Sequence, residues 1–93
     1  MNKVYVVVDC YAFEDDDSRD VIGVYYDKED AKKAFSNCVN VEKYRLGEFN
    51  EGKFEIDDEW EIHIDTEERF HATEIDSYCG CYIEVSIQEV DIK

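Results

Sequence analysis

The stretch VIGVYYDKEDAKKAFSNCV, residues 21–39, decides the fold because its pattern changes from strand to helix partway along. Its first part, Val21 to Tyr26, is mostly β-branched or aromatic and predicts a strand. Asp27 follows as a good helix N-cap, and Glu29 and Asp30 would lie in the first turn, where the helix dipole favours carboxylates. The chain is therefore expected to step from a strand directly into a helix.

The helix has a clear amphipathic pattern. Apolar residues recur at the i, i+3, i+4, i+7 and i+8 spacing of one helix face, namely Ala31, Ala34, Phe35, Cys38 and Val39. This pattern predicts a helix to about Asn40, and a continuation to Leu46 would end at Gly47 in a left-handed conformation. The outward face carries three of the ten basic residues, Lys28, Lys32 and Lys33.

The segment before this stretch has apolar residues at both odd and even positions. Lys3 to Phe13 (KVYVVVDCYAF) is rich in Val and Tyr, which predicts a central strand covered on at least one face. Glu14 to Asp20 is acidic and predicts a loop. The two flanking strands would then form a hairpin whose exposed tip carries Asp15, Asp16 and Asp17.

From Lys53 the hydrophobic period changes to two, which predicts one strand with an apolar face and a carboxylate face. The even positions are Phe54, Ile56, Trp60, Ile62 and Ile64. The odd positions are Glu55, Asp57, Glu59, Glu61, His63 and Asp65. Only Asp58 interrupts the apolar side, so a bulge or bend is expected there.

A fourth strand, Arg69 to Ser77, is predicted after a three-residue loop at Thr66–Glu68. This loop length sets a register that matches apolar residues with apolar residues. The expected pairs are Ile64 with Phe70, Ile62 with Ala72, His63 with His71 and Asp65 with Arg69.

A fifth strand is predicted after a turn at Tyr78–Gly80. Its inward positions are Cys81, Ile83, Val85 and Ile87, which alternate with polar or aromatic residues. The order β-β-α-β-β-β indicates an α+β fold, an antiparallel β-sheet of about five strands with one α-helix packed on one face. No linker-like tract interrupts residues 1–93, so a single domain is expected.

The net charge of −15 is unevenly distributed along the chain. Residues 1–50 hold eleven acids against seven bases, a net charge of −4, whereas residues 51–93 hold fourteen acids against three bases, a net charge of −11. Such a field repels nucleic acid and anionic membranes and attracts basic surfaces. A basic protein partner is therefore expected, with no direct nucleic-acid binding and no membrane binding. The alternative is that the acidity only keeps the protein soluble.

The cellular location is expected to be the cytoplasm. No stretch approaches the roughly 18 apolar residues that span a bilayer, and the N-terminal residues lack a signal-peptide pattern. The four cysteines, Cys10, Cys38, Cys79 and Cys81, are then expected to stay reduced.

The acidic row is the first candidate site. Side chains at alternate strand positions lie about 6.6 Å apart, whereas one DNA strand carries a phosphate about every 3.4 Å of axis. The row alone is too sparse to mimic a phosphate backbone. Acids at the hairpin tip or on the last strand would have to supply additional carboxylates. The alternative is a solvated sheet face. The candidate partner-binding residues are Glu55, Asp57, Glu59, Glu61, Asp65, Asp15, Asp16 and Asp17.

Metal binding is a weaker hypothesis, and no cofactor is expected. The predicted register places His63 beside His71, and two imidazoles with a carboxylate are ligands for zinc or nickel. Cys79-Gly80-Cys81 lacks the second cysteine pair of a zinc site. The Asp15–Asp17 run lacks the glycine that a calcium loop needs at its sixth position.

The sequence lacks the signs of an active site. A nucleophile paired with a base, a phosphate-binding glycine loop and carboxylates in an apolar pocket are the patterns sought, and none is found. We therefore expect that the protein is not an enzyme.

The chain resembles small acidic proteins of Gram-positive bacteria and their phages, which are uncharacterised. The resemblance rests on KVYVVVDCY (residues 3–11), VIGVYYDKEDAKKAF (residues 21–35) and YIEVSIQEVDI (residues 82–92). It implies a phage or mobile-element origin and, by analogy with small acidic anti-CRISPR and other anti-defence proteins, an inhibitor of a host protein. It implies no site residues.

Three hypotheses follow. The first is a phage-derived inhibitor that binds a basic, nucleic-acid-handling host protein, with nucleic-acid mimicry as one mode of binding. The second is an accessory or regulatory domain with an aromatic surface formed by Tyr5, Tyr11, Tyr25 and Tyr26. The third is a metal-binding domain. Either a monomer or a homodimer through an open sheet edge is compatible with the pattern.

Overall fold

The computed structural model describes residues 2–13, 16–75 and 81–92. These residues form one helix and seven strands: β1 (Asn2–Phe13), β2 (Asp16–Tyr25), α1 (Lys28–Leu46), β3 (Gly47–Asn50), β4 (Lys53–Ile56), β5 (Trp60–Asp65), β6 (Arg69–Glu74) and β7 (Tyr82–Ile92). Among the described residues, no helix combines the length and the apolar character needed to cross a membrane.

The main sheet is antiparallel and has the strand order β2-β1-β7-β6-β5. In this order β1 and β7 are neighbours, and both are interior strands because β2 and β6 flank them. α1 packs on one face of this sheet, which confirms the predicted α+β class and its β-β-α-β-β-β order. Strands β3 and β4, which follow α1 and precede β5 along the chain, form a separate two-stranded sheet that was not predicted.

The core lies between α1 and the main sheet. Sheet residues Val7, Phe70, Ala72, Ile83 and Val85 meet helix residues Ala31, Phe35, Val39 and Leu46. Phe70, Ile83 and Leu46 are among the largest fully buried side chains, and burial of each such side chain contributes about 2 kcal/mol. The predicted inward positions of β7 are confirmed at Ile83 and Val85, and Cys81 just before the strand is also buried.

The helix begins as predicted. The Asp27 side chain accepts a hydrogen bond of 2.9 Å from the backbone N–H of Glu29, which caps the first turn. The helix ends at Leu46, but the predicted left-handed stop at Gly47 is wrong, because Gly47 has an extended backbone with φ 176°. A Cβ there would collide with the carbonyl oxygen of Glu55, so glycine allows the two backbones to approach.

The first hairpin differs from the prediction at its tip. β2 begins at Asp16, so residues 16–20 belong to a strand that pairs with the end of β1 and not to a loop. Phe13 pairs with Asp16 and Ala12 with Asp17. Antiparallel pairing with β1 thus extends β2 through a segment whose composition suggested a loop.

The predicted single strand over residues 53–65 is divided into β4 and β5. The chain turns at residues 57–59, where the Asp57 N–H bonds to the Leu46 carbonyl at 2.8 Å and the Trp60 N–H to the Asp57 carbonyl at 3.1 Å. The bend expected at Asp58 is thus confirmed, but it separates two sheets. Residues before and after the turn therefore do not share one continuous face.

The predicted register is correct for Ile62 with Ala72 and wrong beyond it. A bulge at His63 makes Ile64 the partner of His71 and Asp65 the partner of Phe70. One extra residue reverses the side that each later side chain faces. Asp65 therefore lies on the helix side of the sheet, where its carboxylate is 3.8 Å from Lys43 Nζ. The turn predicted at Tyr78–Gly80 lies outside the described residues.

The close approach at Gly47 gives a first test. We expect Gly47→Ala to lower the free energy of unfolding by about 3 kcal/mol, because the added methyl group meets backbone atoms that cannot move aside. Gly52→Ala is the control, since Gly52 has a positive φ but open space around it and should cost about 1 kcal/mol. Urea unfolding measures both, and equal losses would contradict the steric explanation.

Candidate functional site

An uncompensated run of carboxylates lies between β3 and the start of β5. We call residues 48–61 the acidic segment. It contains seven acids against one base, Lys53, and all seven acids are exposed: Glu48, Glu51, Glu55, Asp57, Asp58, Glu59 and Glu61. Four of these, Glu55, Asp57, Glu59 and Glu61, are candidates predicted from the sequence.

The acidic segment is held against the helix by aromatic contacts. Phe49 and Phe54 are cross-strand partners with ring centroids 5.3 Å apart. Phe49 lies 4.8 Å from the Tyr44 ring of α1, and Lys43 Nζ lies 5.3 Å from the centre of the Phe54 ring. These contacts orient the hairpin, because one of its faces packs on α1 while the opposite face is left to polar side chains.

That opposite face brings two glutamates together. Glu48 and Glu55 are direct cross-strand partners. Like charges in such a pair are destabilising, and the Asn50 amide, which donates a 3.1 Å hydrogen bond to Glu55, does not neutralise them. Stability therefore does not explain why both positions carry glutamate.

The ion pairs of the described residues all involve acids outside the acidic segment. They are Lys3–Glu89, Lys28–Glu68, Lys32–Glu29, Lys32–Glu67, Lys43–Asp65, Arg45–Glu42 and Arg69–Glu84. The bases thus neutralise acids around the helix and the main sheet. The negative charge that remains uncompensated is concentrated in the hairpin and the turn.

The other predicted partner-binding residues do not join this cluster. Asp65 is turned toward the helix and pairs with Lys43. Asp16 and Asp17 lie in β2, which is the edge strand of the main sheet opposite β5. Asp15 lies outside the described residues.

Three acids of the acidic segment were missed, namely Glu48, Glu51 and Asp58. The signal that would have found the hairpin is the turn Asn50-Glu51-Gly52-Lys53, in which Glu51 and Gly52 both have positive φ, at 52° and 83°. Such two-residue turns with glycine at the second position join tightly paired strands.

The opposed glutamates predict a gain in stability on charge reversal. We expect Glu55→Lys to raise the free energy of unfolding by about 0.5 kcal/mol, because it creates an attractive pair with Glu48. The double variant Glu48→Lys/Glu55→Lys is the control, since it restores like charges and should lose the gain. Urea unfolding measures both, and a single variant no more stable than the double variant would contradict the pairing.

A second cluster of ionisable groups is buried between β1 and α1. Asp9 is 6% exposed and Glu42 is 4% exposed. The Cys38 thiol donates to Asp9 Oδ2 at 3.4 Å. Within the described residues, Asp9 Oδ1 and Glu42 Oε2 have no hydrogen-bond partner, and Arg45 Nε is 3.9 Å from Glu42 Oε2. Both carboxyl groups are therefore poorly solvated.

The environment of this cluster changes its proton affinity. Burial raises the pKa of Glu42 to about 7, and the nearby Asp9 carboxylate adds to this while the Arg45 guanidinium opposes it. Burial, and then the charge of Asp9, raises the pKa of the Cys38 thiol to about 12. The thiol therefore stays protonated at neutral pH and is a poor nucleophile.

The helix pattern predicted Cys38 as a core residue but did not predict this cluster. The signal was the continuation of the helix stripe. The spacing of Ala31, Phe35 and Val39 reaches Glu42 and Leu46 next, and both are buried. A carboxylate at an apolar position of an amphipathic helix indicates a buried charge that needs a partner or a proton.

The raised pKa of Glu42 predicts a pH-dependent stability. The folded protein keeps the Glu42 proton up to about pH 7, whereas the unfolded chain releases it near 4.5, so this group's contribution is full below pH 4.5 and is lost as the pH rises to about 7. The loss is about 3 kcal/mol. Glu42→Gln should remove this pH-dependent loss of stability, and Glu67→Gln, at an exposed position, should not.

Urea unfolding of the three proteins between about pH 4.5 and about pH 8 measures this effect. The informative quantity is the difference between each variant and the native protein, because other carboxylates titrate in all three. A Glu42→Gln variant with the same pH profile as the native protein would contradict a buried titrating Glu42.

The two histidines lie side by side as expected, although the bulge alters their register. Their ring centroids are 5.5 Å apart, and His63 Nε2 is 2.6 Å from Thr73 Oγ1. In the described part of the chain, no group of three or more His, Cys, Asp or Glu side chains is arranged to hold a metal ion. Cys81 is buried, and Cys79 lies outside the described residues. The two histidines therefore have no third metal ligand arranged beside them among the described residues.

The tyrosines of the second hypothesis are mostly core residues. Tyr5, Tyr11 and Tyr25 pack against the buried cluster, while Tyr26 is exposed. Of the four, Tyr26 is therefore the one most available to a partner.

A groove of about 540 Å³ runs between α1 and the loop that joins β5 to β6. Phe35 and Val39 contribute apolar surface to it. Its Lys32 and Lys43 side chains are paired with Glu67 and Asp65, so the charges of this groove largely cancel. The groove therefore lacks the strong field that the acidic segment has.

Comparisons with protein-family models, with curated proteins and with solved structures each found no match to this chain. The surfaces of the molecule are therefore the evidence for its function. Of these, the acidic segment combines exposure with uncompensated charge.

Proposed function

We propose that the protein binds a basic partner protein through the acidic segment and blocks a nucleic-acid-binding surface of that partner. The observation that carries the proposal is the group of seven exposed acids in residues 48–61, which have no ion pair among the described residues. Uncompensated charge of one sign steers an oppositely charged partner and favours its correct orientation.

The hairpin makes the acidic surface denser than a single strand would. Cross-strand Cβ atoms lie about 5 Å apart, compared with about 6.6 Å between alternate residues on one strand. Glu48 and Glu55 therefore bring two carboxylates close together, and the turn at residues 57–59 adds three more. This density supports the mimicry of closely spaced phosphates.

The retained repulsion between Glu48 and Glu55 also supports a binding role. A sequence under selection for stability alone would avoid a like-charge cross-strand pair. Departures from local stability rules are expected at functional sites, where a partner supplies the missing opposite charge.

The partner class follows from charge and from the resemblance. A basic surface that attracts an acidic protein also attracts nucleic acid, and the negative field of this chain repels DNA and RNA. The resemblance to small acidic phage proteins supports a host defence effector as the target. In this proposal the protein is a cytoplasmic, phage-derived inhibitor that has no catalytic role and no cofactor.

Affinity capture from host lysate with matched variants tests the proposal. The site variant is Glu48→Gln/Glu55→Gln/Asp57→Asn/Glu59→Gln, and the control is Asp30→Asn/Glu67→Gln/Glu89→Gln/Asp91→Asn, which removes the same charge at exposed positions elsewhere. We expect the native protein and the control to retain a basic partner, identified by mass spectrometry, and the site variant to bind it at least about tenfold more weakly.

Duplex DNA should compete with the native protein for the captured partner. Equal loss of binding in the two variants would mean that only net charge matters, which favours an accessory domain whose acidity serves solubility. A site variant that binds as tightly as the native protein would refute the proposal.

Salt should weaken this complex steeply. Between about 0.1 M and about 1 M salt, the Debye length shrinks from about 10 Å to about 3 Å, so exposed charges cease to attract each other. We expect the dissociation constant measured by titration calorimetry to rise over this range. A dissociation constant that does not change with salt would contradict an electrostatic contact.

A further inference from the structure

One face of the main sheet lies opposite the helix α1. Val7 and Asp9 of β1 face the helix, so the even-numbered residues of β1 point to the opposite side, which we call the outer face. Directly paired residues of neighbouring strands share a face. The register therefore places Val24 beside Val6, Val21 beside Val8 and Val90 beside Val4 on this outer face.

Part of the outer face is a continuous apolar surface. We call this surface the valine patch, and its members are Val4, Val6, Val21, Val24, Val90 and Ile92; the neighbouring Val8 is only 4% exposed and contributes no accessible surface. Val24 is 59% exposed and Val90 is 44% exposed, although both belong to strands of the main sheet. Large contiguous apolar patches on a folded protein indicate an interaction surface.

The pattern of β1 also indicates a second covering layer. Apolar residues at both odd and even positions are typical of a strand that is buried on both faces. α1 covers the odd-numbered side of β1. The molecule is only 18 Å thick along its shortest axis, which is one helix layer on one sheet layer.

The outer face differs from the rest of the protein in charge. The register places Arg19, Arg69, Asp17, Glu61 and Glu84 there, a net charge of −1, and Glu61 also belongs to the acidic segment. Arg69 and Glu84 are paired at 2.8 Å. In a chain with a net charge of −15, this weakly charged surface is where a second, equally acidic copy meets the least repulsion.

We propose that two copies of the chain form a homodimer by stacking their outer faces, with the valine patches in contact. The strands of the main sheet have 12, 10, 11, 6 and 6 residues, so the face covers roughly 700 Å², which is close to the roughly 800 Å² per partner that a stable interface buries. Stacked sheets lie about 10 Å apart, which lets the two layers of valines interdigitate. This proposal does not depend on the proposed function.

Sedimentation equilibrium of the full chain tests the dimer. We expect a concentration-dependent approach to twice the 11.0 kDa chain mass. Raising the salt from about 0.1 M to about 1 M should strengthen the dimer, because it screens the repulsion between two acidic copies. This is opposite to the effect expected for a basic partner at the acidic segment. A protein that remains monomeric at every concentration and salt level would overturn the proposal.

Matched substitutions locate the interface. Val24→Glu and Val90→Glu each place a carboxylate in the valine patch, and each should raise the dimer dissociation constant at least about tenfold. Val41→Glu is the control, because Val41 is 61% exposed but lies on α1, and it should leave the constant unchanged.

Thermal unfolding checks that each variant is folded, and Val24→Thr and Val90→Thr replace any glutamate variant that is not. Loss of the dimer in the Val24 variant but not in the Val90 variant would indicate pairing through the β2 edge and would refute stacked faces. An equal effect of Val41→Glu would refute them as well.

Discussion

The contact between α1 and the main sheet is the interaction on which the rest of the structure depends. Phe35, Val39 and Leu46 of the helix are buried against sheet residues such as Phe70 and Ile83. A chain of this size has room for one such core. Because the single helix covers only one face, Val21, Val24 and Val90 are left exposed on the opposite face, and the small hairpin β3–β4 packs beside the helix.

The same contact places two carboxyl groups where water is scarce. Glu42 continues the buried stripe of α1 and meets the region of β1 that holds Asp9. Burying charge is costly without a partner, and protonation of Glu42 lowers that cost. The stability that the helix–sheet contact provides therefore depends on pH. The same burial keeps the nearby Cys38 thiol protonated, which makes it a poor nucleophile.

The acidic segment and the outer face use opposite physical effects. Residues 48–61 present charge that nothing in the described chain neutralises, so a basic partner would supply the missing counter-charges. The outer face presents apolar surface with little net charge, so a second copy is the better fit. The two surfaces therefore respond to salt in opposite directions, and the aromatic contact between Phe49 and Tyr44 determines where the first of them lies.

The sequence by itself determined the helix that starts after Asp27, the alternation of the strands and the excess of acid after residue 50, because each follows from local spacing or composition. Four acids of the candidate site could be predicted in this way. Only the tertiary structure decided that residues 53–65 divide between two sheets, that the bulge at His63 turns Asp65 toward the helix, and that Asp9 meets Glu42. These outcomes depend on strand register and on contacts between distant residues, which local periodicity does not encode.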